Sequence, residues 1–226
     1  MTRLAHRSPP TRLFRLAHKP DPWDWPPWPY CRRANRWDDP TDTYRVLYAS
    51  SERRGTFVET LARFRPDPAV IAGLAAIDGH DEGALAPGHL PVSWVGARVI
   101  GAATIDGRFV EIGHSESLAY LQTTMAARLI HYGIRELDGS VIREARREFT
   151  QELSLHVFSH TADDGSPPCA GISYESRLGN EFMNWALFER AGRNPVRDPT
   201  VESIALDDHD LVATLALFNI ALAAGR

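Results

Sequence analysis

Two kinds of apolar pattern follow one another along the chain. Short segments rich in β-branched and aromatic residues, bounded by glycine, proline or polar turns, indicate β-strands. Longer stretches in which apolar residues recur every three to four positions indicate amphipathic helices. The strands that these patterns predict lie at residues 13–17, 44–49, 90–95, 98–105, 109–112, 171–177, 182–189 and 201–206.

Capping residues and the spacing of apolar residues predict where the helices lie. Thr56 and Glu59 have the spacing of a capping box, so a first helix is predicted to begin near residues 52–56. A short helix is predicted within 66–77, before a loop at 78–88. Further helices are predicted from Ser115 to Gly133, from Asp138 to about His160, and through the apolar run 211–224 after a cap at Asp207 or Asp208.

A length of 226 residues favours one domain, and a net charge of −4 argues against binding to nucleic acid. Residues 1–12 are basic but interrupted by prolines, so we expect a flexible, solvated arm. The apolar run 211–224 is shorter than the about 18 residues that a membrane span needs. Cys31 and Cys169 form no CxxC pair, and no signal-peptide core follows Met1, so two free thiols and a cytoplasmic location are expected.

Residues 20–30 combine a high proline density with three tryptophans, Trp23, Trp25 and Trp28. So many prolines exclude a helix or a central strand. A proline-rich peptide ligand would not need so many indoles. We therefore expect an ordered loop that packs its indoles on the body of the protein and could wall a pocket.

A cation, an aromatic ring and a carboxylate follow one another within residues 35–65. Arg36 suits an anionic group, because its guanidinium can bind phosphate or carboxylate with two parallel hydrogen bonds. Tyr48 offers a flat face with a hydroxyl at its tip, and Glu59 offers an acceptor or a general base. Helical periodicity alone favours another role for Glu59, namely an exposed ion pair with Arg63 one turn later.

Three further candidates carry weaker signals. Arg15 lies inside the first strand, where the residue alone favours a solvent-facing side chain. Ser176 lacks the GxSxG elbow of a hydrolase nucleophile. His156 and His160 are four positions apart on a helix, yet no third ligand or HExxH pattern accompanies them, so no metal site is predicted. The sequence also lacks a Walker loop and a GxGxxG motif, which removes support for a Rossmann dehydrogenase.

In their order and spacing these residues resemble the RES domain, a bacterial family named for its arginine, glutamate and serine. The resemblance covers most of the chain and is most specific within 35–61 and 171–188. The family pattern is carried by Leu13-Phe14-Arg15, Asn35-Arg36-Trp37, Val46-Leu47-Tyr48, Phe57-Val58-Glu59 and the segment GISYESR at 171–177.

The segment around Arg36 departs from the family pattern. The two positions before Arg36 lack the expected glycines, and Asp38 and Asp39 follow where the family prefers an asparagine. Carboxylates beside a phosphate-binding arginine weaken the binding of an anion unless they point away from it.

The resemblance implies an α+β fold in which an ADP-ribosyltransferase-like mixed β core is flanked by helices. A single RES-like domain would span residues 13–226. The stretches 66–113 and 160–170 are longer than a compact member of the family needs, so we expect insertions there.

The resemblance also implies a toxin that destroys NAD+ by cleaving the nicotinamide–ribose bond, as a glycohydrolase or a phosphorylase. NAD+ would be the substrate, with no separate cofactor, and the expected partner is an antitoxin with an Xre-like helix-turn-helix region. Two alternatives stay open. One is transfer of ADP-ribose to a protein, and the other is a catalytically inactive binding protein of the same fold.

Each candidate residue acquires a role from this resemblance. Glu59 would stabilise the oxocarbenium-like ribose of the transition state. Arg36, together with Arg15, would hold the pyrophosphate. Tyr48 would stack on the nicotinamide, and Ser176 would form a hydrogen bond nearby.

Overall fold

The computed structural model describes residues 3–31, 33–75, 88–161 and 168–223. Its strands are β1 (His6–Arg7), β2 (Leu13–His18), β3 (Val46–Ser50), β4 (Gly88–Pro91), β5 (Arg98–Ile105), β6 (Phe109–Glu111), β7 (Gly171–Glu175), β8 (Met183–Phe188), β9 (Val196–Ser203) and β10 (Ile220–Ala223). Its α-helices are α1 (Arg53–Leu61), α2 (Pro68–Ala75), α3 (Val92–Gly96), α4 (Ser115–Thr124), α5 (Ala126–His131), α6 (Gly139–Glu144), α7 (Arg147–Ser159) and α8 (His209–Phe218).

Eight strands form one mixed sheet in the order β1-β6-β7-β8-β3-β2-β5-β9. Neighbouring strands are antiparallel except β6 and β7, which are parallel. Strands β4 and β10 form a second, two-stranded parallel sheet. This mixed sheet with its flanking helices confirms the predicted α+β class.

Two apolar clusters fix the helices on the sheet. Leu121, Phe149 and Ile172 belong to the first cluster, which joins α4–α7 to the strands β6, β7 and β8. Phe57 and Leu211 belong to the second, which joins α1 to α8 and to the small sheet. Because α1 packs through this apolar face, its opposite side is available for polar residues.

The tryptophan-rich segment covers a third apolar cluster on the sheet. Trp23 is 5% exposed and packs with Leu13 and Leu47, and Trp25 packs partly buried against the same cluster. Trp28 is 44% exposed and starts a short 3-10 turn. The expectation of an ordered loop that packs its indoles is therefore confirmed for two of the three tryptophans.

Two long helices expected from periodicity are each broken in two. The stretch 115–133 is divided at Met125, between α4 and α5. The stretch 138–160 is divided at Ala145 and Arg146, whose extended backbone separates α6 from α7. The apolar spacing continues across both breaks, so periodicity could not indicate them.

The first helix begins within the expected range, but not through a capping box. Helix α1 starts at Arg53, and Glu52 precedes it without a side-chain cap. Thr56 lies one turn inside the helix, where its hydroxyl donates to the Arg53 carbonyl over 2.8 Å. A threonine hydroxyl that already bonds the preceding turn cannot cap the helix start.

Asp138 and Asp208 cap their helices as predicted. The carboxylate of Asp138 accepts from the backbone N–H of Val141 over 2.8 Å, and that of Asp208 accepts from two N–H groups of α8. Helix α4 is capped by His114 rather than by Ser115. The ring nitrogen of a histidine can accept the same hydrogen bond that a serine hydroxyl would accept.

The end of the apolar run 211–224 is not helical. Helix α8 stops at Phe218, and Asn219 adopts a left-handed backbone with φ 52°. Asparagine tolerates that conformation better than most residues and often ends a helix. Strand β10 takes up the rest of the described run and pairs with β4.

The predicted strand 90–95 is wrong in its second half. Strand β4 ends at Pro91, which has no N–H for a ladder, and α3 follows directly. Strand β9 lies earlier than the predicted 201–206. Strand β7 ends at Glu175, which leaves Ser176 just beyond it.

Residues 3–12 do not form the flexible arm that the sequence predicts. His6 and Arg7 form β1 and pair with β6, and the side chain of Leu4 is buried in the first apolar cluster. Main-chain pairing and the burial of Leu4 offset the entropy that is lost on ordering the segment. The side chains of His6 and Arg7 therefore lie on an edge strand of the main sheet.

Within the expected insertion 66–113, strands β5 and β6 belong to the main sheet. Most of the loop expected at 78–88 and most of the second expected insertion, 160–170, lie outside the described residues. Among the described helices, none is both long and apolar enough to cross a lipid bilayer.

Candidate active site

A cavity of about 720 Å³ lies where β2, β3, β7, β8 and α1 meet the loop at residues 34–37. Cavities of this size are typical of sites for small molecules and cofactors. Four of the five candidate residues line it: Arg15, Arg36, Tyr48 and Glu59. The fifth, Ser176, reaches the cavity through its hydrogen bond to Glu59.

Arg15 is held by backbone carbonyls where two strands diverge. Strands β2 and β3 are paired at Phe14 and Ser50. Beyond that pair, Arg15 Nη1 donates to the carbonyl of Tyr48 over 2.7 Å, and Arg15 Nε donates to that of Pro22 over 2.6 Å. Burial lowers the pKa of Arg15 to about 10, so the guanidinium remains charged at neutral pH. Two backbone carbonyls hold this cation, and among the described residues it lacks the carboxylate partner that a buried charge usually has.

The loop that presents Arg36 is anchored on helix α7. Gln151 Nε2 donates to two carbonyls of the loop, that of Asn35 included, each over 2.8 Å. Ser154 Oγ donates to the carbonyl of Trp37 over 2.7 Å, and the indole of Trp37 is 1% exposed. The loop is therefore fixed by a rigid element on both sides of Arg36.

Arg36 joins this loop to the end of helix α6. Its Nη1 donates to the carbonyl of Ala145 over 3.3 Å, and its Nη2 donates to that of Ile142. Carbonyls at a helix C-terminus lack partners within the helix and attract a cation. Partial burial, followed by repulsion from Arg177 and Arg147, lowers the pKa of Arg36. A guanidinium has five N–H donors, so further donors remain for a ligand.

Asp39 organises the loop from inside. Its carboxylate accepts from the backbone N–H groups of Thr41, Thr43 and Tyr44 and from the two threonine hydroxyls. Burial alone would raise the pKa of Asp39, but these hydrogen bonds outweigh it and lower the pKa. The side chain is 5% exposed and does not line the cavity.

Tyr48 forms hydrogen bonds that hold Asp38 and the same loop in place. Tyr48 Oη donates to Asp38 Oδ1 over 2.8 Å and accepts from the backbone N–H of Trp37 over 3.1 Å. Burial, and then the charge of Asp38, raise the pKa of Tyr48 well above its usual value, so the hydroxyl stays protonated. Both carboxylates of the loop are therefore hydrogen-bonded within it, and neither lines the cavity beside Arg36.

Glu59 is fixed through one of its two oxygens. Glu59 Oε1 accepts from Ser176 Oγ and from Asn184 Nδ2, each over 2.6 Å. Both donors are only 2% exposed, whereas Glu59 itself is exposed. The alternative of an ion pair with Arg63 is not observed among the described residues. No described residue donates to the second oxygen, Oε2, so its lone pairs are available for a ligand.

The wall of the cavity is strongly positive although the whole chain carries a net negative charge. Six arginines and two glutamates line it, and Glu175 pairs with Arg143. Within the described part of the chain, the other five arginines have no carboxylate partner. These arginines are Arg15, Arg36, Arg63, Arg147 and Arg177. A concave surface of one sign attracts ligands of the opposite sign, so this cavity suits an anion.

Asn184 and Tyr174 are among the polar residues of the cavity wall that sequence reasoning missed. Asn184 is the polar residue of the otherwise apolar strand β8, which was the available signal. Tyr174 lies opposite Asn184 on β7, and its ring lies 5.4 Å from that of Trp37. Burial, and then the charge of Glu59, raise the pKa of Tyr174 well above its usual value. Both residues extend the polar surface around Glu59.

The remaining candidates lie away from this cavity. Tyr120 Oη lies 3.3 Å from His160 Nδ1, within hydrogen-bond distance. His156 Nε2 is buried and has no hydrogen-bond partner among the described residues. No group of three His, Cys, Asp or Glu side chains in the described ranges is arranged to hold a metal ion. Cys31 and Cys169 are free thiols, as predicted.

The sequence profile of the RES domain matches residues 12–211, a span that includes every candidate residue. The chain belongs to the RES domain family. This RES domain is also similar in structure to a chain of the crystal structure of the M. tuberculosis MbcT–MbcA toxin–antitoxin complex. The two share 12% identical residues with a TM-score of 0.48, over 92% of each chain. No curated protein matches the sequence.

Proposed function

We propose that this RES domain cleaves the nicotinamide–ribose bond of NAD+ and is the toxin of a toxin–antitoxin system. The observation that carries the proposal is the carboxylate of Glu59, held at the wall of an arginine-lined cavity. Membership of the RES family adds support, because the family pattern implies this activity.

The phosphates of NAD+ match the positive part of the wall. Arg15 and Arg36 are each held by two backbone carbonyls, so little side-chain entropy is lost when a ligand binds. A guanidinium binds phosphate oxygens with two parallel hydrogen bonds. The rings of Tyr48 and Tyr174 supply an aromatic surface for the nicotinamide.

The reaction requires one carboxylate rather than two. When the bond between ribose C1′ and the pyridinium nitrogen breaks, nicotinamide leaves with the electron pair as a neutral molecule. The ribose then develops the positive charge of an oxocarbenium ion. A neutral leaving group needs no proton, so a general acid is unnecessary. Glu59 can stabilise the charge and accept from a ribose hydroxyl through Oε2, while Glu175 is paired with Arg143.

The acceptor completes the reaction. Water attacking C1′ gives ADP-ribose and releases one proton, which Glu59 can take as a general base. Inorganic phosphate attacking C1′ gives a phosphorylated ADP-ribose and needs no base. In both cases NAD+ is consumed as a substrate and no cofactor is required.

We further propose that an antitoxin with an Xre-like helix-turn-helix region binds this domain in the cytoplasm. Family membership supports this partner. The antitoxin, rather than the RES domain, would then contact DNA, in line with the negative net charge of the chain.

A nicotinamide-release assay on the pure protein tests the proposal. We expect release from NAD+, and the products with and without added phosphate identify the acceptor. Release that appears only in cell lysate, with label from NAD+ on a protein, would replace the proposal by ADP-ribosyl transfer. No release under any of these conditions from folded protein would favour a catalytically inactive binding protein.

A further inference from the structure

Asn184 forms an unusual hydrogen-bond arrangement beside Glu59. Its side chain is 2% exposed, and Nδ2 donates to Glu59 Oε1 over 2.6 Å. Its Oδ1 is buried and has no hydrogen-bond partner among the described residues. The opposite orientation of the amide would place Oδ1 against the carboxylate, so the chemistry fixes which atom faces Glu59.

A buried amide oxygen without a donor destabilises the folded protein, because it loses its hydrogen bonds to water and gains none. An apolar side chain of similar size at position 184 would avoid that cost. Groups of this kind in native structures call for an explanation, and a catalytic role is one of the few available. The donation to Glu59 is the interaction that the asparagine supplies and an apolar residue could not.

We propose that Asn184 is a positioning residue that holds the Glu59 carboxylate in its reactive orientation. The inference rests on the proposed function only for its kinetic test. Ser176 approaches Oε1 from just beyond the end of β7, and Asn184 approaches the same oxygen from β8. Two donors on one oxygen fix the rotation of the carboxylate and direct Oε2 towards the ligand.

This arrangement trades stability for activity, as functional sites often do. Replacing Asn184 by leucine removes the unpaired Oδ1 together with the donor. We therefore expect the melting temperature of Asn184→Leu to equal or exceed that of the wild type. We expect kcat to fall by about 10- to 100-fold, because a misdirected catalytic group is enough for such a loss. KM should change by less than about twofold, since the side-chain hydrogen bond described for Asn184 goes to Glu59 and not to an arginine of the wall.

A combination of variants separates positioning from an independent effect. In a Glu59→Gln background, Asn184→Leu should lower the residual rate by no more than about twofold, because residues that act through one another are not additive. Ser173→Ala serves as the matched control. Like Asn184, Ser173 is a buried polar residue of the main sheet, but it lies on β7 and its hydroxyl donates to the Val110 carbonyl instead of to Glu59. This control should keep wild-type activity.

A crystallographic comparison tests the same inference without any assay. In Asn184→Leu the Glu59 carboxylate should leave its wild-type position or lose its order. If the wild type releases no nicotinamide, the proposed function is wrong. The comparison of the two crystal structures still decides whether Asn184 positions Glu59. An unchanged Glu59 carboxylate, a full-activity Asn184→Leu, or a loss of activity matched by a lower melting temperature would each overturn the inference.

Discussion

Ser176 Oγ donates a hydrogen bond to Glu59 Oε1 over 2.6 Å, although the two residues are 117 positions apart in the sequence. The same hydroxyl accepts from the backbone N–H of Leu178 over 2.9 Å, so both its proton and a lone pair have fixed directions. Ser176 therefore orients the carboxylate. Its buried position, at 2% exposure, is consistent with this supporting role.

Glu59→Gln should abolish most NAD+ cleavage and leave folding nearly intact. The amide oxygen of glutamine can still accept from Ser176 and Asn184, but it cannot stabilise a cation or take a proton. We expect kcat to fall by about 10²- to 10⁴-fold and the free energy of unfolding to change by less than about 0.5 kcal/mol. Nicotinamide release and thermal unfolding measure the two effects.

Glu136→Gln is a suitable control for that substitution, because Glu136 is an exposed glutamate that does not line the cavity. It should keep both activity and stability. If Glu59→Gln lowered the melting temperature in proportion to the lost activity, Glu59 would be a structural residue instead of a catalytic one.

Arg36→Ala should weaken the binding of ADP-ribose, which carries the pyrophosphate without the nicotinamide. The substitution removes a charged donor of phosphate hydrogen bonds, so we expect a loss of affinity of about 10- to 100-fold. Arg36→Lys should not restore the wild-type affinity, because an ammonium cannot bond Ile142, Ala145 and a phosphate in the same planar geometry. Isothermal titration calorimetry gives the affinities.

Arg193→Ala controls for the loss of one positive charge, since Arg193 is exposed and lies outside the cavity wall. Its affinity for ADP-ribose should equal that of the wild type. Equal affinities of the wild type and Arg36→Ala would show that the phosphates bind elsewhere.

The positions of most strands along the chain could be predicted from the sequence, because short apolar segments between turns have few alternatives. Strand β5 has the predicted bounds, and β3 and β8 differ from theirs by a few residues. Strand β1 was missed, since two residues are too few to show alternation. The helix breaks at Met125 and Ala145 were missed because the apolar spacing does not change there.

The candidate site could be predicted only in part from the sequence. The residue types of Arg36, Tyr48 and Glu59 indicate their chemistry, and the family pattern supplied their order. Nothing local in the sequence indicates that Asn184 contacts Glu59, because that contact depends on the pairing of β8 with its neighbours. The orientation of the Asp38 side chain could not be predicted from the sequence either, since it depends on the hydrogen bond that Tyr48 donates to it.

Asp208 should make the stability of α1 depend on pH. Arg53, at the start of α1, donates to both oxygens of Asp208. The hydrogen bonds from Arg53, opposed by burial, lower the pKa of Asp208. A carboxyl with a lowered folded pKa adds stability above its unfolded pKa of about 4, and that stability is lost as the pH falls through the folded value.

Asp208→Asn isolates this contribution, because asparagine caps helix α8 as well as aspartate does. We expect the variant to be less stable than the wild type at pH 7 by about 1–3 kcal/mol. The difference should shrink below about pH 4. Urea unfolding at pH 7 and at pH 3 measures it. A difference that persists unchanged in acid would mean that the loss comes from the cap or from packing.

Expression of the chain alone in bacteria should arrest growth and lower the cellular NAD+ pool. Glu59→Gln and Arg36→Ala should each relieve both effects, because they remove different parts of one site: the carboxylate at the ribose and a cation at the phosphates. Co-expression of the proposed antitoxin should relieve both as well. Viable counts and NAD+ measured in the same cultures link the two readouts.

The relation between arrest and NAD+ distinguishes the possible activities. Arrest with an unchanged NAD+ pool would reject the degrading toxin and favour ADP-ribosylation of a protein, which consumes far less NAD+. If folded and abundant protein caused no growth arrest and no loss of NAD+, the remaining interpretation would be a catalytically inactive binding protein. The hydrogen bonds that hold Asp38 and Asp39 within their loop argue against that outcome, because they keep both carboxylates out of the cavity wall beside Arg36. The departure of this loop from the family pattern is therefore compatible with an intact anion site.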